Sequence, residues 1–454
     1  MSGVGSTEPP SGVGSTEPPK SEGTGFAGAG AGTRGEGTRF AGAGAGTRGG
    51  GTGSAGAGAG IRDQVESEAR AAQAAVGALN DEAVREALLA AAALVEDRSE
   101  GIAVSNAADV VAAEHLDEGA LDRLRLDDGR IRALAEQLRE LADLPPLERD
   151  EASWSLDNGL RASVRRIPIG VVGANFEARP NVAADVAGQL LKSLNGAVLR
   201  TGGAALRTVM FLVDEVLRPA LRTARLPAEV VGLVRSPDRE GARILVSLPH
   251  VLPLVILRGS GETTAELARE AALHGVRTLA HAEGGGVLYL HREADPAKVE
   301  AIVEASLDRL GVCNRLNLLL VDDEDQVPVA LLARLGIEVR EPERLGHEWA
   351  NDPERIASVT VRRVESLDEA VALANGETSG LAAGIVAEDA AAAERFLDGY
   401  RGTAAFWNAT TRLTDGFKLL GTPETGINVD RAPGPRGPVT YRDLCLRQYR
   451  VLAP

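Results

Sequence analysis

Residues 170–203 read GVVGANFEARPNVAADVAGQLLKSLNGAVLRTGG, and this stretch decides the fold class. Gly170-Val171-Val172-Gly173 is a short apolar run bounded by glycine, the pattern of a buried strand. The Ala- and Leu-rich residues 182–194 predict a helix, and Ala197-Val198-Leu199-Arg200 a second strand closed by Gly202-Gly203. Strand, helix and strand at this interval form a crossover unit, which requires the two strands to run parallel. The same alternation continues with a helix over 208–217, a strand over 230–234, a helix over 239–247 and a strand over 254–257. A second series follows: strands over 286–291, 317–321, 359–363, 384–386 and 404–408, with helices over 296–310, 367–374 and 390–397. The pattern therefore predicts an α/β protein with two parallel-sheet domains. Such sheets take ligands at the carboxyl ends of their strands, where Arg200-Thr201-Gly202-Gly203 and Arg258-Gly259-Ser260-Gly261 fall. Neither loop matches a GxGxxG or P-loop spacing.

Upstream, Val84, Leu88, Leu89, Ala92 and Val95 form one helical stripe, and Ile131, Leu134, Leu138 and Leu141 another that ends before Pro145-Pro146. A further helix start is read at 103–109. Residues 154–167 alternate around Asp157-Asn158-Gly159, a hairpin turn signal because Asn and Gly tolerate positive φ. Residues 1–60 are of low complexity: SGVGSTEPP is repeated, then FAGAGAGTRG is repeated, with no apolar face to bury. This segment reads as a disordered tail.

Composition narrows the function classes. The chain has 454 residues and a net charge of −16, which argues against a nucleic-acid or anionic-membrane partner. No run approaches the roughly 18 apolar residues of a membrane span. Two cysteines cannot make a disulfide framework, and the first residues lack a basic-then-apolar leader, so a cytoplasmic protein is expected. One cysteine, Cys313, lies in Leu310-Gly311-Val312-Cys313-Asn314-Arg315, on a glycine-led turn before an apolar run. That is a place for a nucleophilic thiol, although a lone cysteine is more often a small buried hydrophobe. Cys445, in the tail segment 441–449, has no such surroundings and reads as structural.

With the hairpin and Cys313 placed, the chain resembles the γ-glutamyl phosphate reductase branch of the aldehyde dehydrogenase superfamily from about Glu86 onward. The resemblance rests on Trp154-Ser155-Leu156-Asp157-Asn158-Gly159-Leu160, Phe176-Glu177-Ala178-Arg179-Pro180-Asn181-Val182, Leu191-Lys192-Ser193, Gly311-Val312-Cys313-Asn314 and Trp407-Asn408-Ala409-Thr410-Thr411-Arg412-Leu413-Thr414-Asp415-Gly416. It implies an aldehyde dehydrogenase-like fold that reduces L-glutamyl 5-phosphate to L-glutamate 5-semialdehyde with NADP(H), through a thioester on Cys313. The alternatives are the same thioester chemistry on another acyl group, or a non-catalytic scaffold. The resemblance further implies that Arg179 and Asn181 assist Cys313, with Arg315 as the neighbouring cation in sequence. Lys192, Ser193, Arg200, Gly202 and Gly203 would hold the cofactor, and Asn314, Asn408, Thr411 and Arg412 the substrate. No metal is expected. The implied domains are a dinucleotide-binding domain over 61–257 with the hairpin at 152–168, a catalytic domain over 258–432, and an oligomerisation strand over 433–454. Hairpin and terminal strand would pair across subunits of a homodimer or homotetramer.

As in the branch, His281 stands where water-activating relatives carry a glutamate, with Glu283 two residues on. The chain departs from the branch elsewhere. Leu373 and Leu381 replace histidines, Ala383 replaces an acid, and Gly203-Ala204-Ala205 replaces Ser-Glu-Ala. The last change leaves no carboxylate at 203 to repel a 2′-phosphate, consistent with NADP. The three apolar replacements raise the question of whether the substrate pocket has lost polar groups.

Overall fold

The computed structural model describes residues 54–116, 118–259, 261–281, 284–308, 312–340, 357–429 and 436–453. The tail expected over 1–60 lies outside them up to residue 53. Helix begins at Ser54, earlier than the sequence boundary, in the segment Ser54–Ala75. That helix buries Val65, Ala69 and Ala72 against the first sheet. Three more helices that build the core follow, Asp81–Asp97, Ser99–Ala112 and Asp128–Asp143. Their apolar stripes, including Leu88, Ile102, Leu134 and Leu138, merge into one core with the helix Val182–Lys192.

Sixteen strands are described. The hairpin is β1 (Asp150–Ser155) and β2 (Arg161–Pro168), turning at Gly159 with φ +82° as its sequence requires. The first parallel sheet contains β3 (Val171–Phe176), β4 (Gly196–Thr201), β5 (Val231–Val234), β6 (Leu254–Arg258) and β7 (Arg277–His281), in the order β5-β4-β3-β6-β7. This is a doubly wound sheet whose order reverses between β3 and β6. β7 extends the first sheet beyond residue 257, so the expected boundary at 257/258 is corrected: the second sheet starts only at β8. The cause is the helix Gly261–His274, a further crossover that the reading of the sequence did not include.

The second sheet contains β8 (Gly286–Leu290), β9 (Leu316–Val321), β10 (Glu338–Arg340), β11 (Ser358–Arg363), β12 (Ala382–Val386) and β13 (Ala404–Trp407), in the order β10-β11-β9-β8-β12-β13. All its pairings are parallel. β14 (Gly426–Asn428) and β15 (Gly437–Val439) form a short antiparallel ribbon. β16 (Cys445–Leu452) pairs antiparallel with β2 of the same chain, Cys445 opposite Pro168 and Leu452 opposite Arg161. Within the chain, its own terminal strand thus completes the hairpin sheet. Trp154, Leu446, Tyr449, Val451 and Leu452 remain exposed on that three-stranded sheet.

Candidate active site

Cys313 precedes the amino end of β9, half-buried, on a turn closed by the Arg315 N–H bonding to Val312 O. Two glycines let β8 approach that turn. Gly285 has φ +101°, and its N–H donates to Cys313 O at 2.6 Å. A Cβ on Gly286 would lie 2.6 Å from Thr411 Oγ1, inside contact distance. Glycine is therefore dictated at both positions, by conformation at one and by space at the other.

A buried brace holds the turn from the other side. Asn314 Nδ2 donates to Thr414 O at 2.8 Å and to Arg412 O at 3.4 Å, and its Oδ1 accepts from the Arg412 guanidinium. Thr411 Oγ1 donates to Asn314 O at 2.9 Å, and Arg412 Nε reaches Asp308 at 2.7 Å. Asn314, Thr411 and Arg412 thus direct their side chains at each other and at main chain, where the sequence suggested substrate contacts. Asn408 is further removed. It follows the carboxyl end of β13, and its amide bonds both N–H and O of Ala387. Arg315 also differs from expectation: buried, it donates to Leu316 O and to Ser358 O at 3.0 Å, toward β11, and burial pushes its guanidinium down to about 10.

The cations near the thiol come from the carboxyl edge of the first sheet. β3 is followed by Glu177-Ala178-Arg179, where Ala178 adopts φ +45°, a left-handed conformation disfavoured for a residue with a Cβ. This bend turns the chain into the helix Val182–Lys192 and sets Arg179 and Asn181 over the cleft. Burial pushes the Arg179 guanidinium down to about 9; Arg258 and Arg123 lower it further, and Cys313 opposes them. At neutral pH it stays a cation. Arg258, at the end of β6, is paired at 3.8 Å with Asp185 in the first turn of the helix. Asp185 is buried and accepts from Gln137 at 3.1 Å and Gln189 at 3.0 Å. Burial raises its carboxyl despite Arg258 and Gln189. Glu424, before the β14–β15 ribbon, accepts from Gly416 N–H and is pushed up to about 7 by burial and by Asp415. Asn181 begins the helix without using its side chain as a cap.

The cofactor candidates divide. Lys192 and Ser193 end the helix that returns from the carboxyl edge of β3 to the amino edge of β4. Lys192 Nζ donates to Ala142 O and Leu144 O, and Ser193 Oγ to Gln189 O and Leu190 O. They anchor helices on the edge away from the ligand crevice, which corrects their assignment as cofactor contacts. Arg200 lies near the carboxyl end of β4, and Gly202 and Gly203 follow the strand, next to the Pro237-Asp238 loop. Arg200 donates to Asn175 Oδ1 at 3.1 Å, Pro237 O at 3.1 Å and Asp238 O at 2.8 Å. Its Nε and Thr201 Oγ1 are buried polar atoms with no partner. Two unsatisfied donors at the carboxyl edge of a doubly wound sheet fit a polar dinucleotide.

Of the three apolar replacements, one adjoins the thiol. Leu381 is fully buried in a cluster with Ala382, Phe406 and Ile427, against which Cys313 packs. Ala383 and Leu373 pack elsewhere, with Val287, Tyr289 and Phe396. His281 ends β7, and Glu283 lies outside the described residues. Cys445 is half-buried and donates to Arg442 O, and burial pushes its thiol up. Arg258, Asp185 and Glu424 were not singled out by sequence. Arg258 was findable from the strand-end loop it opens, whereas Asp185 and Glu424 carry no local pattern.

The site thus sets a thiol turn, at the amino edge of one parallel sheet, near the loops at the carboxyl edge of a doubly wound sheet. The aldehyde dehydrogenase family model matches residues 54–350. The chain is 35% identical over 384 residues to the γ-glutamyl phosphate reductase of Rhodospirillum rubrum, covering 80% of this chain and 89% of that one. It is 34% identical over 407 residues to that of Opitutus terrae, covering 84% and 95%. The crystal structure of the γ-glutamyl phosphate reductase of Thermotoga maritima superposes with a TM-score of 0.79 at 27% identity, covering 86% of this chain and 99% of that one. The chain belongs to the aldehyde dehydrogenase family. Within it, the chain belongs with the γ-glutamyl phosphate reductases.

Proposed function

We propose that this protein reduces L-glutamyl 5-phosphate to L-glutamate 5-semialdehyde and phosphate with NADPH, through a thioester on Cys313. The observation that carries the reading is the braced Cys313 turn facing Arg179. Cys313 Sγ attacks the acyl carbon, a C–S bond forms, and the carbon–oxygen bond to phosphate breaks with its electron pair on the leaving oxygen. Arg179, with Arg258 behind it, offsets the charge of that phosphate and favours the thiolate. The Cys313 N–H and the Asn181 amide are the donors assigned to the oxyanion. The chemistry a bound nicotinamide supplies here is hydride transfer to the thioester carbon. Arg200, Gly202 and Gly203 would hold it, with the unsatisfied Arg200 Nε and Thr201 Oγ1 as donors. Arg239, which acts on Arg200 through its charge, offers a cation for a 2′-phosphate. Asn314, Thr411 and Arg412 position the nucleophile.

The reading includes a cytoplasmic enzyme without a nucleic-acid or membrane partner, and a homo-oligomer formed through the exposed apolar side chains of β16. Among the described residues no helix is long and apolar enough to cross a membrane. Purified protein given L-glutamate 5-semialdehyde, phosphate and NADP should form NADPH, read by its absorbance. Activity should vanish in Cys313→Ser and persist in Cys445→Ser. Turnover of other aldehydes but not of this one would overturn the substrate, and an active Cys313→Ser would overturn the mechanism.

A further inference from the structure

An open cleft of about 240 Å³ runs from Arg179 and Asn181 to the loop that joins helix Glu118–Leu124 to helix Asp128–Asp143. Its outer wall carries Arg123, Arg125 and Arg130. Arg130 is committed to that wall, donating to the Asp122 carboxylate at 2.8 Å and to the carbonyls of Asp122 and Arg125. The loop is fixed from below. Buried Asn106 donates to Leu124 O at 2.9 Å and accepts from Leu126 N–H at 2.7 Å, clamping the chain on both sides of Arg125. Leu124 and Leu126 are themselves buried. The wall is therefore a preorganised cationic surface whose backbone is held by a satisfied buried amide.

Arg123 and Cys313 both act on Arg179 through their charge, and Arg123 and Arg179 line the same cleft. A substrate acylating Cys313 would extend away from the thiol, past Arg179 and Asn181, toward Arg123. L-Glutamyl phosphate has four carbons beyond its reacting carbonyl, ending in an α-ammonium and an α-carboxylate. The carboxylate is the part a guanidinium recognises, by paired charge-assisted hydrogen bonds. On the inner side, Gln137 lines the cleft and donates to the buried Asp185 at 3.1 Å.

We propose that Arg123 is the specificity-determining residue of this enzyme, binding the α-carboxylate of the amino-acid substrate while Arg179 serves the reacting end. The inference rests on the function proposed above and adds to it a second anchor, on a different domain from the thiol. It also explains how Leu381, in the cluster beside Cys313, can be apolar without loss of the polar end of the substrate: that end is read by Arg123.

Two measurements test it. In the oxidative direction, kcat/KM is compared for L-glutamate 5-semialdehyde and for 4-aminobutanal, the same chain without the carboxylate. The wild type should prefer the first, and Arg123→Leu should lose that preference, mainly through a rise in KM of about ten- to a hundred-fold for the semialdehyde. Arg123→Lys, which keeps the charge without the fork, should recover part of it. Independently of turnover, calorimetric titration with L-glutamate should show binding to the wild type and at least about tenfold weaker binding to Arg123→Leu. Equal glutamate affinity in wild type and Arg123→Leu, or an undiminished preference, overturns the assignment. A wild type that turns over no semialdehyde but binds glutamate in an Arg123-dependent manner overturns the proposed reaction and leaves this site standing.

Discussion

Replacing Asn314 with alanine removes three hydrogen bonds that hold the turn bearing Cys313. The bond to Thr414 O, at 2.8 Å and buried, is worth about 1 kcal/mol net, and the bond accepted from the Arg412 guanidinium about 1.5–3 kcal/mol. The contact to Arg412 O at 3.4 Å is long and adds little. Arg412 keeps Asp308 through Nε, so it is not stranded entirely. The expected loss is about 3 kcal/mol in local stability, together with about a hundredfold in turnover if the thiol shifts by about 1 Å. Asn314→Asp separates the two arms: it keeps an acceptor for Arg412 but sets a carboxylate against Thr414 O. Thermal unfolding, semialdehyde-dependent NADPH formation and the rate of alkylation of Cys313 read the effects. An Asn314→Ala protein with wild-type unfolding temperature and wild-type turnover would refute the view that this brace places the nucleophile.

Three further outcomes follow from other parts of the molecule. Glu424 has its carboxyl raised from 4.5 to about 7, so the folded state favours the protonated form. Stability from this group is complete below about pH 4.5 and is lost as pH rises through about 7; the fall in unfolding temperature between those values should flatten in Glu424→Gln, and an unchanged slope would contradict the shift. Gly286→Ala should destabilise by about 1–3 kcal/mol, since its Cβ would press on Thr411; chemical denaturation showing an unchanged midpoint would mean that Thr411 yields without cost. Tyr449→Asp should reduce the mass seen by light scattering if exposed β16 is the subunit contact, and a wild type that is already monomeric removes that assignment.

Much of the fold could be read from local pattern because parallel strands buried on both faces announce themselves as short apolar runs, as at Val171–Phe176 and Leu316–Val321. β7 escaped because its sequence, Arg277–His281, has a polar residue at each end and lies at a sheet edge. β14 and β15 are three residues each, too short for any periodicity to show. At the site, Cys313 and Arg179 could be singled out because each sits in a distinctive block. Lys192 and Ser193 misled because proximity to a helix end says nothing about which end faces the ligand; only the topology shows that this helix points its amino end at the cleft. Asn314, Thr411 and Arg412 were noticed for their polarity, but side-chain polarity does not distinguish a residue that touches substrate from one that braces main chain. Asp185 and Glu424 depend on burial by distant elements, which no local window contains.

The pairing of β16 with β2 joins residues about 280 positions apart in the chain, and this has a consequence for biosynthesis. When β2 leaves the ribosome, its partner is still several hundred codons away, so the hairpin must wait with one edge open while both parallel sheets assemble. An open strand edge is a template for pairing with another nascent chain. β2 carries Arg161, Arg165 and Arg166 along that edge, and two neighbouring copies would bring like charges together. The same arginines that look incidental in the finished protein are suited to keeping the unfinished one alone until Leu452 arrives.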